Sequence, residues 1–91
     1  MKTTKAVLIN VRGRVQGVGF RYYTEKKANE LNIKGFVENK GDGSVYIEAE
    51  GDVAELEHFV TWVRQGPPWA RVQEITVTEM PAVDYTKFCI R

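Results

Sequence analysis

The chain has 91 residues, 43% of them hydrophobic and 27% charged, which suits one globular domain spanning 1–91 rather than a disordered tail. Thirteen basic and twelve acidic side chains leave a formal charge of +1, so no global field draws the protein to nucleic acid or an anionic membrane, and any anion site must be local. The lone cysteine, Cys89, excludes an intrachain disulfide and a cysteine-based metal cage, and the short apolar run Ala6–Ile9 makes neither a signal peptide nor a membrane span. The expectation is a soluble, cytoplasmic monomer.

Ala6–Arg12 alternates as a strand, with Val7, Ile9 and Val11 on one face. A glycine-punctuated segment, Gly13–Phe20, leads into a helix over Arg21–Leu31, where Thr24, Ala28 and Leu31 share a face with Phe20. Lys34–Asn39 reads as a second strand. Lys40-Gly41-Asp42-Gly43 signals a tight turn, with both glycines expected to supply positive φ. The returning strand, Ser44–Glu50, turns Val45, Ile47 and Ala49 inward and Tyr46, Glu48 and Glu50 outward. Asp52 can cap a second helix carrying Leu56, Phe59, Val60 and Val63 at helical spacing, and Gly66-Pro67-Pro68 stops it. Trp62 and Trp69 flank that break and read as packing residues. Val72–Glu79 is a further strand with Ile75 and Val77 inward, and Phe88–Ile90 adds a short edge strand.

The order β-α-β-β-α-β predicts an α+β fold, the ferredoxin-like βαββαβ sandwich, with a largely antiparallel sheet and two helices on one face. Strands one and two then run parallel with strand three between them. Their C-terminal ends share one sheet edge, about 10 Å apart at two strand spacings. The Gly13–Arg21 loop leaves the first of these ends, and Asn39 stands at the second.

Gly17-Val18-Gly19-Phe20-Arg21 therefore joins a strand to a helix. Glycines let consecutive N–H groups turn into a concave anion nest, the helix adds its positive end, and Arg21 adds a planar fork of donors. By residue type alone, a plain tight turn with a solvated Arg21 is the favoured explanation of the segment. It is neither a Walker loop, since no Gly-Lys-Ser/Thr follows, nor a dinucleotide fingerprint, since Tyr22 stands where a third glycine belongs. Asn39, just before the turn, also reads as a simple turn former.

The stretch Gly13-Arg14-Val15-Gln16-Gly17-Val18-Gly19-Phe20-Arg21 resembles the signature loop of the acylphosphatase family. A second signature follows: Gly35-Phe36-Val37-Glu38-Asn39, then Gly43-Ser44-Val45, then Gly51. The two motifs, the length and the element order cover essentially the whole chain. Glu38 departs from the basic or neutral residue usual in the family, but strand alternation should point it away from Asn39. The resemblance implies a hydrolase that splits acyl phosphates into a carboxylate and inorganic phosphate. It further implies catalytic roles for Arg21, which binds the phosphate, and Asn39, which orients the attacking water. The substrate phosphate would sit in the loop of Val15, Gln16, Gly17, Val18, Gly19, Phe20 and Arg21. No metal and no other cofactor is implied, and the partner is a small acyl phosphate, with no nucleic acid and no membrane.

The remaining chemistry-bearing residues read blandly. His58 has no second histidine or cysteine to share a metal with, Asp42 belongs to the turn, and Cys89 is a packing residue. One of Tyr22 and Tyr23 is positioned to shape the substrate mouth. Two rival readings are a ferredoxin-like binding module, for RNA or an anionic metabolite, and a detached relative of the acylphosphatase-like domain of larger carbamoyl-transfer maturation proteins. Against RNA, the third strand offers only Tyr46 as an exposed aromatic.

Overall fold

Alternating apolar residues place β1 (Thr4–Arg14) where both of its edges are paired. It runs antiparallel to β3 (Val45–Asp52) on one side and to β4 (Arg71–Met80) on the other. β2 (Lys34–Asn39) pairs antiparallel with β3, and β5 (Phe88–Ile90) lies parallel to β2, giving the order β4-β1-β3-β2-β5. This computed structural model describes residues 3–91. Strands β1 and β2 are thus parallel to each other, as the ferredoxin-like reading requires.

Helices α1 (Phe20–Glu30) and α2 (Val53–Gln65) cover one face. Val7, Ile9 and Val11 of β1, Val37 of β2, and Val45, Ile47 and Ala49 of β3 meet Phe20 and Ala28 of α1 and Leu56, Phe59 and Val63 of α2 in one buried cluster. Each large apolar side chain placed there contributes about 1.5–3 kcal/mol relative to leaving it in water. Ile75 and Val77 lie on the inner side of β4, but this edge strand outruns α2. Val77 therefore stays 37% exposed.

The outer face departs from the expectation of solvated alternation. Residues 81–87 cross it on the way from β4 to β5. Val83 N–H and Asp84 N–H both donate to Glu50 Oε1, at 2.7 and 3.1 Å, so Glu50 is only 5% exposed although it points away from the helices. Tyr46 and Tyr85 hydroxyls donate to the two oxygens of Glu48. Phe36 packs between these rings, with the Arg91 guanidinium 3.8 Å from its centroid.

Three local expectations are corrected. Of the turn glycines only Gly43 takes a positive φ, 91°. Asp52 stands at the cap of α2 without a side-chain capping bond; instead Val53 N–H donates to the Thr3 carbonyl at 3.0 Å. Trp62 packs against Phe20, but Trp69 is 76% exposed because the Pro67–Ala70 turn carries it away from the core.

Candidate active site

The loop after β1 owes its shape to two glycines with left-handed backbone, Gly17 at φ 74° and Gly19 at φ 79°. Neither position is crowded enough to demand glycine for space alone: a Cβ at Gly17 would meet nothing within 4 Å, and one at Gly19 would only press on the Tyr23 ring. Conformation is the reason, since other residues enter this region at a cost. Gly19 is the N-cap of α1 and offers no side-chain acceptor, and no acidic residue stands in the first turn. The N–H groups opening the helix and the positive end of its dipole are left without an internal counter-charge.

Arg21 lies in that first turn. One of its donors, Nη1, is bound to the main-chain oxygen of Arg91 at 3.1 Å, which orients the fork while leaving other N–H groups free. Asn39 is exposed at the end of β2. A hollow of about 220 Å³ joins the parts: Val15, Gly17, Gly19, Phe20, Arg21, Tyr22, Asn39 and Ile90 line it. Tyr22, 58% exposed and set edge-on to Tyr23, forms its rim. Of the loop residues expected at the phosphate, Gln16 and Val18 do not face this hollow.

Gln16 has another task. Its Nε2 donates to the carbonyls of Lys40 and Ser44, at 2.7 and 2.9 Å, tying the loop to the β2–β3 turn that follows Asn39. The turn is itself braced. Asp42 Oδ1 accepts from the Ser44 hydroxyl at 2.6 Å and from Ser44 N–H at 2.9 Å. Those Ser44 bonds, with help from Arg12 at 3.5 Å, hold the Asp42 carboxyl below its ordinary value. Glu38, one residue before Asn39, points to the outer face and pairs with Lys40 at 3.2 Å, so the departure at this position leaves the hollow free of an acid. Residue type and spacing do not reveal the contributions of Gln16, Ile90 and Arg91. The parallel docking of β5 on β2, which sets Ile90 opposite Val37, two residues before Asn39, brings the last two to the site.

Two of the larger hollows lie away from this loop. One, between α2 and the β1–β4 edge, is floored by Val7, Leu56, Val60 and Val77. The other has Glu30, Glu50, Asp52 and Glu55 in its wall, charges that repel a phosphate. His58 is exposed, and among the described residues no group of three or more His, Cys, Asp and Glu is placed to hold a metal ion. No helix among them is long and apolar enough to cross a membrane. The outer-face aromatics are unsuited to stacking on bases, since Phe36 is 5% exposed beneath the 81–87 crossing.

Fold and loop define a ferredoxin-like α+β domain with an anion-receptive strand–loop–helix at one sheet edge. The family model for acylphosphatase matches residues 7–90. An acylphosphatase of Thermotoga petrophila is 48% identical over 87 residues, covering 96% of this chain and 97% of that protein. The structure of an acylphosphatase from Coxiella burnetii superposes with a TM-score of 0.93 at 35% identity, covering 97% of this chain and 93% of that one. Full-length HypF in its phosphate- and nucleotide-bound form matches all of this chain with 12% of its own, at TM-score 0.89 and 34% identity. The chain belongs to the acylphosphatase family.

Proposed function

We propose that this chain hydrolyses the carboxyl–phosphate bond of small acyl phosphates by in-line attack of a water held by Asn39 on a phosphoryl group held by Arg21 and the Gly17–Phe20 backbone loop. The observation that carries the reading is the single hollow lined by Gly17, Gly19, Arg21 and Asn39. Main-chain N–H groups and the guanidinium take the three equatorial oxygens, on which charge spreads in phosphoryl transfer. The water oxygen forms its bond to phosphorus as the acyl oxygen departs with the bonding pair, giving a carboxylate and inorganic phosphate. Asn39 accepts and donates hydrogen bonds but takes no proton at neutral pH, so its part is to aim the water. The water's proton passes to a phosphate oxygen. The leaving carboxylate has a conjugate acid of pKa about 4, so it departs without a protein proton donor.

The reaction needs neither a metal nor another cofactor, and the chain works as a cytoplasmic monomer of one domain, 1–91. Support for that comes from the anion-receptive loop itself and from a chain with a single, unpaired cysteine. The test is phosphate release from benzoyl phosphate with a chelator present. Turnover by the wild type and its loss in Arg21→Ala and Asn39→Ala are expected. A dependence on added metal, or an Asn39→Ala variant as active as wild type, overturns the mechanism.

A further inference from the structure

In-line displacement puts the attacking and leaving oxygens on opposite sides of phosphorus. The sheet order fixes which side is which. Asn39 ends β2, reached from β1 by passing β3, and Ile90 lies beyond it on β5. β4 flanks β1 on the opposite side, and Trp69 stands just ahead of it. With water at Asn39, the acyl group leaves toward β4.

A second hollow occupies that flank, lined by Arg14, Gly17, Val18 and Trp69. Gly17 also lines the phosphate hollow, so one bare stretch of main chain separates the two. Trp69 is an unusual residue to leave 76% exposed, and it is not on a loose loop. Pro67 is buried, Ala70 N–H donates to the Pro67 carbonyl at 3.0 Å, and Gly66 N–H donates to the Trp62 carbonyl at 2.7 Å. The indole is thus presented by a braced turn, so the main chain that carries it is held before a ligand arrives. Val18, half-buried, adds a second apolar surface. Arg14 lies opposite Arg71 in the β1–β4 register, and neither belongs to any ion pair among the described residues, so the flank is positive as well as apolar.

We infer that the hollow of Arg14, Gly17, Val18 and Trp69 seats the leaving acyl group, and that it favours acyl phosphates with a bulky, flat apolar acyl part over acetyl phosphate. A flat ring against the indole gains contact that a methyl group cannot make, and Arg14 sets a positive charge near the carboxylate as it forms. The inference rests on the hydrolytic reading above and specifies its substrate class.

The experiment compares kcat/KM for benzoyl and acetyl phosphate in the wild type, Trp69→Ala, Trp69→Phe and Tyr22→Ala, with competitive inhibition by inorganic phosphate as the control. Intrinsic reactivity differences between the two acyl phosphates cancel in the comparison. Trp69→Ala is expected to lower the benzoyl-to-acetyl preference about threefold to tenfold. Trp69→Phe should keep most of the preference, and phosphate inhibition should not change in either variant. Being exposed, Trp69 can be replaced without emptying the core. An unchanged preference in Trp69→Ala overturns the inference, as does a loss confined to Tyr22→Ala, which would put the acyl group on the Asn39 flank. If the wild type hydrolyses neither acyl phosphate, the hydrolytic reading itself fails.

Discussion

The loop end of the sheet and its outer face are both rich in polar groups, yet they are built on opposite terms. On the outer face the two carboxylates are engaged, Glu48 by two tyrosine hydroxyls and Glu50 by two N–H groups of the crossing segment, and only the buried Asn10 Oδ1 beside them is left without a partner among the described residues. At the loop end the helix opens without a cap side chain or an acid, and Arg21 spends one donor on Arg91. Satisfied polar groups hold a chain in place, while unsatisfied ones wait for a ligand. Substitutions at the two places should therefore separate stability from activity.

Arg21→Ala should break this contrast most visibly. Phosphoryl-transfer arginines are worth about 10³-fold or more in rate, so kcat/KM should fall by about that much while the melting temperature hardly moves. Asn39→Ala should cost kcat about 10²-fold through a misplaced water, with inorganic phosphate still inhibiting as in the wild type. Gln16 stands between the two regimes, because it makes a saturated tie inside the site. Gln16→Ala should lower kcat about tenfold and cost about 1 kcal/mol of stability, measured by urea unfolding, since the Lys40 and Ser44 carbonyls each lose one of their two donors and the loop loses its tie to the turn. A loss of stability with kcat intact would make the tie purely structural.

The outer face gives the smallest effect near neutrality, and one confined to alkali. Tyr46 is pushed up to about 12, chiefly by its bond to Glu48 and then by burial. Tyr85 is pushed up to about 12 as well, by burial first and then by the same carboxylate. Raised values mean that the fold favours the neutral phenols. Their stabilisation is complete below the ordinary value of 10.0 and is lost as pH climbs through about 12. Unfolding midpoints followed against pH should fall across that window, and less steeply in Tyr85→Phe.

Much of this was legible in the sequence because periodicity and glycine punctuation report on local structure. The strict alternation of Val7, Ile9 and Val11 marks β1, and Gly17, Gly19 and Arg21 mark the loop that follows it. Lys34–Asn39 emerged with the same bounds in the fold. The misreadings share a different cause. Strand alternation sends Glu50 to solvent because residues 81–87, which cover it, have no periodicity to announce their path. Trp69 reads as packing because a large aromatic beside Pro67 and Pro68 usually is, and only the turn's direction shows otherwise. Asp52 was placed correctly at the cap, yet the bond there comes from the Thr3 carbonyl. The Gln16 tie spans 24 and 28 residues, a separation that no local pattern encodes.

The most direct test is an amide NMR titration of the wild type with inorganic phosphate. Saturable shifts concentrated on the Gly17–Tyr22 main chain and on the Asn39 side-chain amide are the predicted result. Shifts centred on any other hollow, or on the loop with Asn39 unmoved, would contradict one shared site for phosphate and water.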